Sequence, residues 1–142
     1  MPTLAIANDH AGLALKAALI PMLEARGFEV LNLGTDSADS VDYPDYGDAI
    51  ARAILEGEAN FGIAICGSGI GISIAANRHP GIRAALVHNI ETATLARQHN
   101  DANVLCLGAR FMSAEEATRC VEAFLTTAFE GGRHQRRVEK LG

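Results

Sequence analysis

Cys66 closes the apolar run Phe61-Gly62-Ile63-Ala64-Ile65 and opens the segment Gly67-Ser68-Gly69-Ile70-Gly71. An apolar run that ends in glycines reads as a strand entering a turn. The small-residue stretch through Ala75-Ala76-Asn77 reads as the helix behind it. Such a loop has definite chemical uses. Glycines let backbone N–H groups turn toward a ligand. The start of a helix adds partial positive charge, so the loop is a ready anion site. The same field favours thiolate over thiol at Cys66, and the thiolate is the reactive form. In the plainer reading the glycines only allow close helix–sheet packing over a buried cysteine. The Ser68 hydroxyl, and the polar residues at the ends of the other strands, weigh against that.

Three chemistries use a loop of this kind. Dinucleotide binding needs a fuller glycine fingerprint: Gly67-x-Gly69-x-Gly71 is only half of it, and the third glycine would fall at Ile72. The following strand ends at His88-Asn89 without the acid that would hold a ribose. Phosphocysteine chemistry, as in small tyrosine phosphatases, needs an arginine where Ile72 stands. The third option makes Cys66 a base that carries a proton between neighbouring carbons, with the loop holding an oxyanion. Aldose–ketose isomerisation requires that pair.

Other polar clusters fit the third option. A phosphorylated sugar needs a second anion site away from the reacting carbons, and Arg133-His134-Gln135-Arg136-Arg137 offers one. If this segment is helical, Arg133 and Arg137 share a face, and an anion between them relieves their repulsion. Arg110, after another apolar run, is placed to join them. His99 is a candidate acid/base for opening a cyclic sugar. Its plainer reading is a helix C-cap with Asn100 left-handed and His99 near the negative end of the dipole. Asp9 is a candidate for sugar hydroxyls and His10 for the sugar or its phosphate. Asp42-Tyr43-Pro44-Asp45-Tyr46 reads as a structured turn in a long loop from Gly34 to Asp45.

The elements that must position these residues alternate along the chain. Strands are expected at Leu4–Ala7, Val30–Leu33, Phe61–Ile65, Ala84–Val87 and Val104–Leu107. Helices are expected at Leu13–Arg26, with a kink at Pro21, at Tyr46–Glu56, after the glycine loop, and at Ile90–Gln98. Another follows Ser113, whose pairing with Glu116 reads as a capping box. Strands apolar on both faces, alternating with helices, predict one α/β domain over residues 1–142. It is a three-layer α/β/α arrangement around a five-stranded, parallel, doubly wound, Rossmann-like sheet. Ligands of such sheets sit beyond the carboxyl ends of the strands, where Asp9, His10, Cys66 to Gly71 and Arg110 all fall. The net charge of −5 and the 5% aromatic content disfavour a nucleic-acid partner. The longest uncharged stretch, Phe61 to Asn77, is too interrupted to span a bilayer, and the start carries no signal-peptide pattern. The 3 cysteines lack metal-type spacing and suit a reducing cytoplasm. Cys106 and Cys120 read as inert core thiols.

Taken in order, these residues resemble the type B ribose-5-phosphate isomerases, a family that also includes galactose-6-phosphate isomerase subunits. The resemblance runs nearly end to end. It rests on Asn8-Asp9-His10-Ala11-Gly12, Asp42-Tyr43-Pro44, Cys66 through Asn77, Gly81-Ile82-Arg83-Ala84, Arg97 through Asn103, Gly108-Ala109-Arg110 and Glu130-Gly131-Gly132-Arg133-His134. It implies Cys66 as the base, Gly67, Gly69, Ile70 and Gly71 in the anion hole, and Ser68 assisting. It implies His99 as the ring-opening residue and Asp9, His10 and Asn100 as sugar contacts. Arg110, Arg133 and Arg137 fall on the phosphate side. Some relatives carry a Glu base six positions after the Cys position; Cys66 with Ile72 marks the thiol variety. Asn8 stands where Cys or Ser is common. The resemblance further implies a homodimer or dimer of dimers with shared sites, the basic segment 130–142 reaching a neighbouring subunit, and no metal or cofactor. It leaves open a hexose 6-phosphate substrate or a non-catalytic sugar-phosphate sensor.

Overall fold

A computed structural model describes residues 2–142. Five strands form a single parallel sheet: β1 Thr3–Asn8, β2 Glu29–Asn32, β3 Phe61–Cys66, β4 Ala84–Leu86 and β5 Val104–Gly108. Their order is β2-β1-β3-β5-β4. The helices are α1 Leu13–Ala25, α2 Tyr43–Leu55, α3 Ile70–Asn77, α4 Ile90–Asn100, α5 Ala114–Thr126 and α6 Arg133–Leu141. A short 3-10 turn, His10–Gly12, precedes α1.

The side-chain pattern explains the layers. Alternate residues of β1, β3 and β5 point to opposite faces. Leu4, Ile6, Ile63, Ile65, Leu105 and Leu107 pack with α1, α4 and α5 through Leu19, Leu23, Ala93, Val121 and Phe124. Ala5, Ala7, Ala64, Cys66 and Cys106 pack with α2 and α3 through Ile50, Ala51, Ile72 and Ala76. The second face carries small side chains, so α2 and α3 approach the sheet closely. A Cβ on Gly62 would lie 2.7 Å from Ile50 Cγ1.

The chain leaves β1 toward β2 and later returns to β3 on the other side of β1. The crossovers therefore lie on opposite faces, and the carboxyl ends of β1 and β3 diverge into a crevice. Asn8 pairs in register with Ile65, and Cys66 with Gly108. The tips of β1, β3 and β5 are thus level.

Some boundaries differ from the sequence reading. Helix α2 begins at Tyr43, because Pro44 in its first turn already has the helical φ. Helix α1 continues through Pro21, which faces solvent. Helix α4 runs through Asn100, and the left-handed residue is Asp101 at φ 46°. Its carboxylate accepts from Arg97 at 2.9 Å and Arg83 at 3.4 Å, which holds the unfavourable conformation.

Candidate active site

The glycine loop packs tightly between β5 and α3. Gly69 has φ +77°, and a Cβ there would come within 2.5 Å of Leu86 Cδ1 and 2.9 Å of the Leu107 carbonyl carbon. A Cβ on Gly108 would strike the Ser68 carbonyl oxygen at 2.5 Å. The close approach draws the loop back over the strand tip. The Gly69 N–H donates to Cys66 Sγ at 3.2 Å, which fixes the sulfur at the strand tip. The Ile70 N–H donates to Ser68 Oγ at 3.1 Å. The N–H groups of Gly67, Ser68 and Gly71 meet no acceptor among the described residues, so they are free to receive an anion.

Cys66 is only 4% exposed, but it ends β3 in the crevice. The other thiols differ. Cys106 is fully buried, and burial, then the neighbouring Cys66, push its pKa far up. Cys120 is raised by burial and then by Glu116. Both stay protonated, as expected of core cysteines.

The neighbouring strand tip is held just as firmly. The Asp9 N–H donates to Ile65 O at 3.1 Å. Asp9 Oδ1 caps the 3-10 turn by accepting from the Ala11 N–H at 3.0 Å, which leaves Oδ2 for a ligand. Asn8 is buried beneath, and its Nδ2 donates to Asp9 O at 2.9 Å and Thr35 O at 3.1 Å. A Cys or Ser at this position would lack that pair of donors. His10 Nδ1 accepts from the Val41 N–H at 3.2 Å. In the neutral ring this puts the proton on Nε2, so His10 presents a donor. On the β5 side, the Arg110 N–H donates to Gly67 O at 3.0 Å, and its exposed guanidinium lies over Gly67. Asp9, His10, Cys66 to Gly71 and Arg110 therefore share one crevice.

His99, Asn100, Arg133 and Arg137 do not join them within the chain. Helix α4 ends at Asn100, and Asn103 then bonds the start of β3 through Gly62 at 2.9 Å. His99 thus sits by the amino end of the sheet and Cys66 at the carboxyl end, separated by β3, a length of roughly 16 Å. Glu130 N–H donates to Gln98 O at 3.1 Å, which brings α6 to the same far end. There the His99 and His134 rings stack at 4.3 Å. Arg133 and Arg137 do share an exposed face of α6, while His134 and Val138 are buried on the other.

Several supporting residues escape a reading of the sequence. Lys16 is buried, and its Nζ donates to Thr35 O at 2.6 Å, Asp36 Oδ1 at 2.6 Å and Asn32 Oδ1 at 3.3 Å. The loop after β2 is thereby tied behind Asp9 and His10. Its one signal was a lone lysine on an otherwise apolar helix face. The Lys16 hydrogen bond, followed by that of Asn32, holds the Asp36 carboxyl below its ordinary range. Arg97 is also buried: it donates to Ala102 O at 2.7 Å and lies 5.1 Å from the centre of the Phe61 ring. Tyr43, expected in a loop, packs its ring against Gly71, where a Cβ would collide with it.

The chain also has close relatives. The profile of the Ribose/Galactose Isomerase family matches residues 4–141. Ribose-5-phosphate isomerase B of Escherichia coli (strain K12) is 47% identical over 141 residues, covering 99% of this chain and 95% of the relative. The crystal structure of a ribose 5-phosphate isomerase from Thermotoga maritima superposes with TM-score 0.96 at 51% identity, covering 99% of this chain and 97% of the other. Ribose-5-phosphate isomerase B from Mycoplasma genitalium, solved with bound ribulose-5-phosphate, gives TM-score 0.94 at 45% identity, covering 98% and 93%. With a matching profile over nearly its whole length and relatives near half identical, this chain belongs to the ribose/galactose isomerase family.

Proposed function

We infer that this chain interconverts D-ribose 5-phosphate and D-ribulose 5-phosphate by moving one proton between C1 and C2 through an enediolate. The observation that carries the reading is the Cys66 sulfur at the tip of β3, held at 3.2 Å by the Gly69 N–H beside unspent loop N–H groups. The thiolate takes the proton from C2 of the open-chain aldose. The loop donors stabilise the oxyanion that forms, and the same sulfur returns the proton to C1. The accompanying proton passes from O2 to O1, with Ser68 Oγ as the nearby hydroxyl. Asp9 Oδ2 accepts from a sugar hydroxyl.

Ring opening and phosphate binding draw on a second copy. His99, Asn100, Arg133 and Arg137 lie a strand's length from Cys66 in their own chain, so a partner subunit supplies them to this crevice. The surface around the crevice supports a partner. Ile70 and Ile74 of α3 are 53% and 56% exposed, and Phe111, beside Arg110, is 68% exposed. Large apolar side chains left exposed on α3 and after β5 favour covering by another chain. In the pair, His99 opens the furanose, His10 and Asn100 hold the sugar, and Arg110, Arg133 and Arg137 hold the phosphate. Soluble phosphorylated substrates and 3 unpaired cysteines support a cytoplasmic setting. No described helix is long and apolar enough to cross a membrane.

A coupled assay with ribose 5-phosphate tests the reading directly: turnover is expected, and binding without conversion would identify a sensor instead. Parallel rates on allose 6-phosphate and galactose 6-phosphate decide the carbon number. One extra carbon in a pocket is worth only about 1–3 kcal/mol, so the pentose should lead by roughly ten- to two-hundredfold.

A further inference from the structure

At the junction of α4 and α6, His99, Glu130 and His134 each present one ligand atom, and the three atoms lie within 4.8 Å of one another. Glu130 Oε1 is 3.9 Å from His99 Nε2 and 3.6 Å from His134 Nε2. These separations are too long for hydrogen bonds. They suit another purpose: a tetrahedral cation with bonds near ~2.1 Å spaces its ligand atoms about 3.4 Å apart. Two of the separations are already within about half an ångström of that value.

We propose that His99, Glu130 and His134 form a binding site for a divalent cation of the Zn2+ type, and that its occupancy withdraws His99 from the sugar. The second half rests on the isomerase reading; the first does not. Two imidazoles with one carboxylate, leaving a fourth position open, suit Zn2+ rather than the oxygen-seeking Mg2+ or Ca2+. His134 is the fixed ligand. It is buried near the start of α6. His99 and Glu130 are partly exposed and free to adjust. The two rings are stacked 14° from parallel, so their in-plane lone pairs do not converge on one point. Binding turns the exposed His99 ring about χ2 until its lone pair meets that of His134. The same turn spoils the pose that His99 needs for ring opening. Arg133 and Arg137 raise the potential around His134 and oppose a cation. The expected affinity is accordingly micromolar, weaker than at closed structural zinc sites.

The test is calorimetric titration of the full chain with Zn2+, with Co2+ as a second probe read by its visible absorption. One equivalent per chain is expected, with reversible loss of ribose 5-phosphate turnover that a chelator restores. Cys66→Ala should retain the equivalent, because the thiol is not a ligand. Glu130→Gln, at an exposed position, and His99→Asn should each weaken binding by roughly tenfold or more. Loss of stoichiometric binding in Cys66→Ala, or unchanged affinity in Glu130→Gln and His99→Asn, overturns the site. Calorimetry needs no turnover. A chain that binds Zn2+ as described yet leaves ribose 5-phosphate unconverted strikes down the isomerase reading alone.

Discussion

At the scale of single residues, the proposed reaction rests on one sulfur and on a glycine with no room for a side chain. Cys66→Ala removes the proposed proton carrier but leaves the loop's N–H groups in place. Turnover should fall about 10²–10⁴-fold, the usual worth of a positioned base. Binding of ribulose 5-phosphate, measured by calorimetry, should persist; near-normal turnover in that variant would sink the mechanism. Gly69→Ala acts differently. It forces a Cβ into a left-handed conformation and to within 2.5 Å of Leu86. The conformational cost is about 1–2 kcal/mol, and overpacking adds about 1–3 kcal/mol. Denaturant unfolding should show the loss. Slower alkylation of Cys66 by iodoacetamide should accompany it, because the N–H that holds the sulfur is displaced.

At the scale of elements, the loop after β2 is the part most open to test. Lys16 is a buried cation whose only acidic neighbour within salt-bridge reach among the described residues is Asp36, through a carboxylate that is itself largely exposed. The folded state holds the Asp36 pKa below its unfolded value, chiefly through the Lys16 hydrogen bond. The unfolded chain therefore takes up protons first as pH falls, so this contribution is complete above the unfolded carboxylate range, near pH ~4. It fades as pH drops through the lower folded value. Asp36→Asn should thus be less stable than the parent at neutral pH, and the two unfolding curves should converge toward acid. A gap of constant size down to pH ~2 would show that the carboxylate's charge is not what stabilises the loop. The same variant should raise KM more than it lowers kcat, because His10 and Asp9 sit on the tip that the loop supports.

At the scale of the whole molecule, the two halves of the proposed machinery lie at opposite ends of one sheet. Subunit pairing then predicts complementation. Cys66→Ala and His99→Asn homodimers should each be nearly inactive. Mixing them under conditions of subunit exchange should restore activity, because each hybrid contains one site with both residues native. No recovery in a mixture shown by mass spectrometry to contain hybrids contradicts shared sites. Ile74→Asp, which puts a charge on the exposed apolar face of α3, should shift the sedimentation coefficient toward that of a monomer. Activity should fall with the fraction of pairs.

The local build of the candidate site was legible in the sequence, because it depends on neighbours along the chain. Cys66 followed by spaced glycines dictates a strand tip, a left-handed turn and a helix start, whatever lies around them. The alternation of apolar runs dictates the parallel layered sheet in the same way. Tertiary structure decided what depends on distance in space. The tautomer of His10 is set by the backbone of Val41, and Asp9 is braced by Asn8 and by a lysine that the sequence shows only as a break in an apolar face. His99, Glu130 and His134 become one cluster only because α6 folds back onto the end of α4. Above all, no spacing in the sequence says that His99 and Cys66 stand at opposite edges of the sheet. A helix antiparallel to its strands returns its C-terminus to their starting edge, and that geometry assigns the two residues to different ends of the molecule.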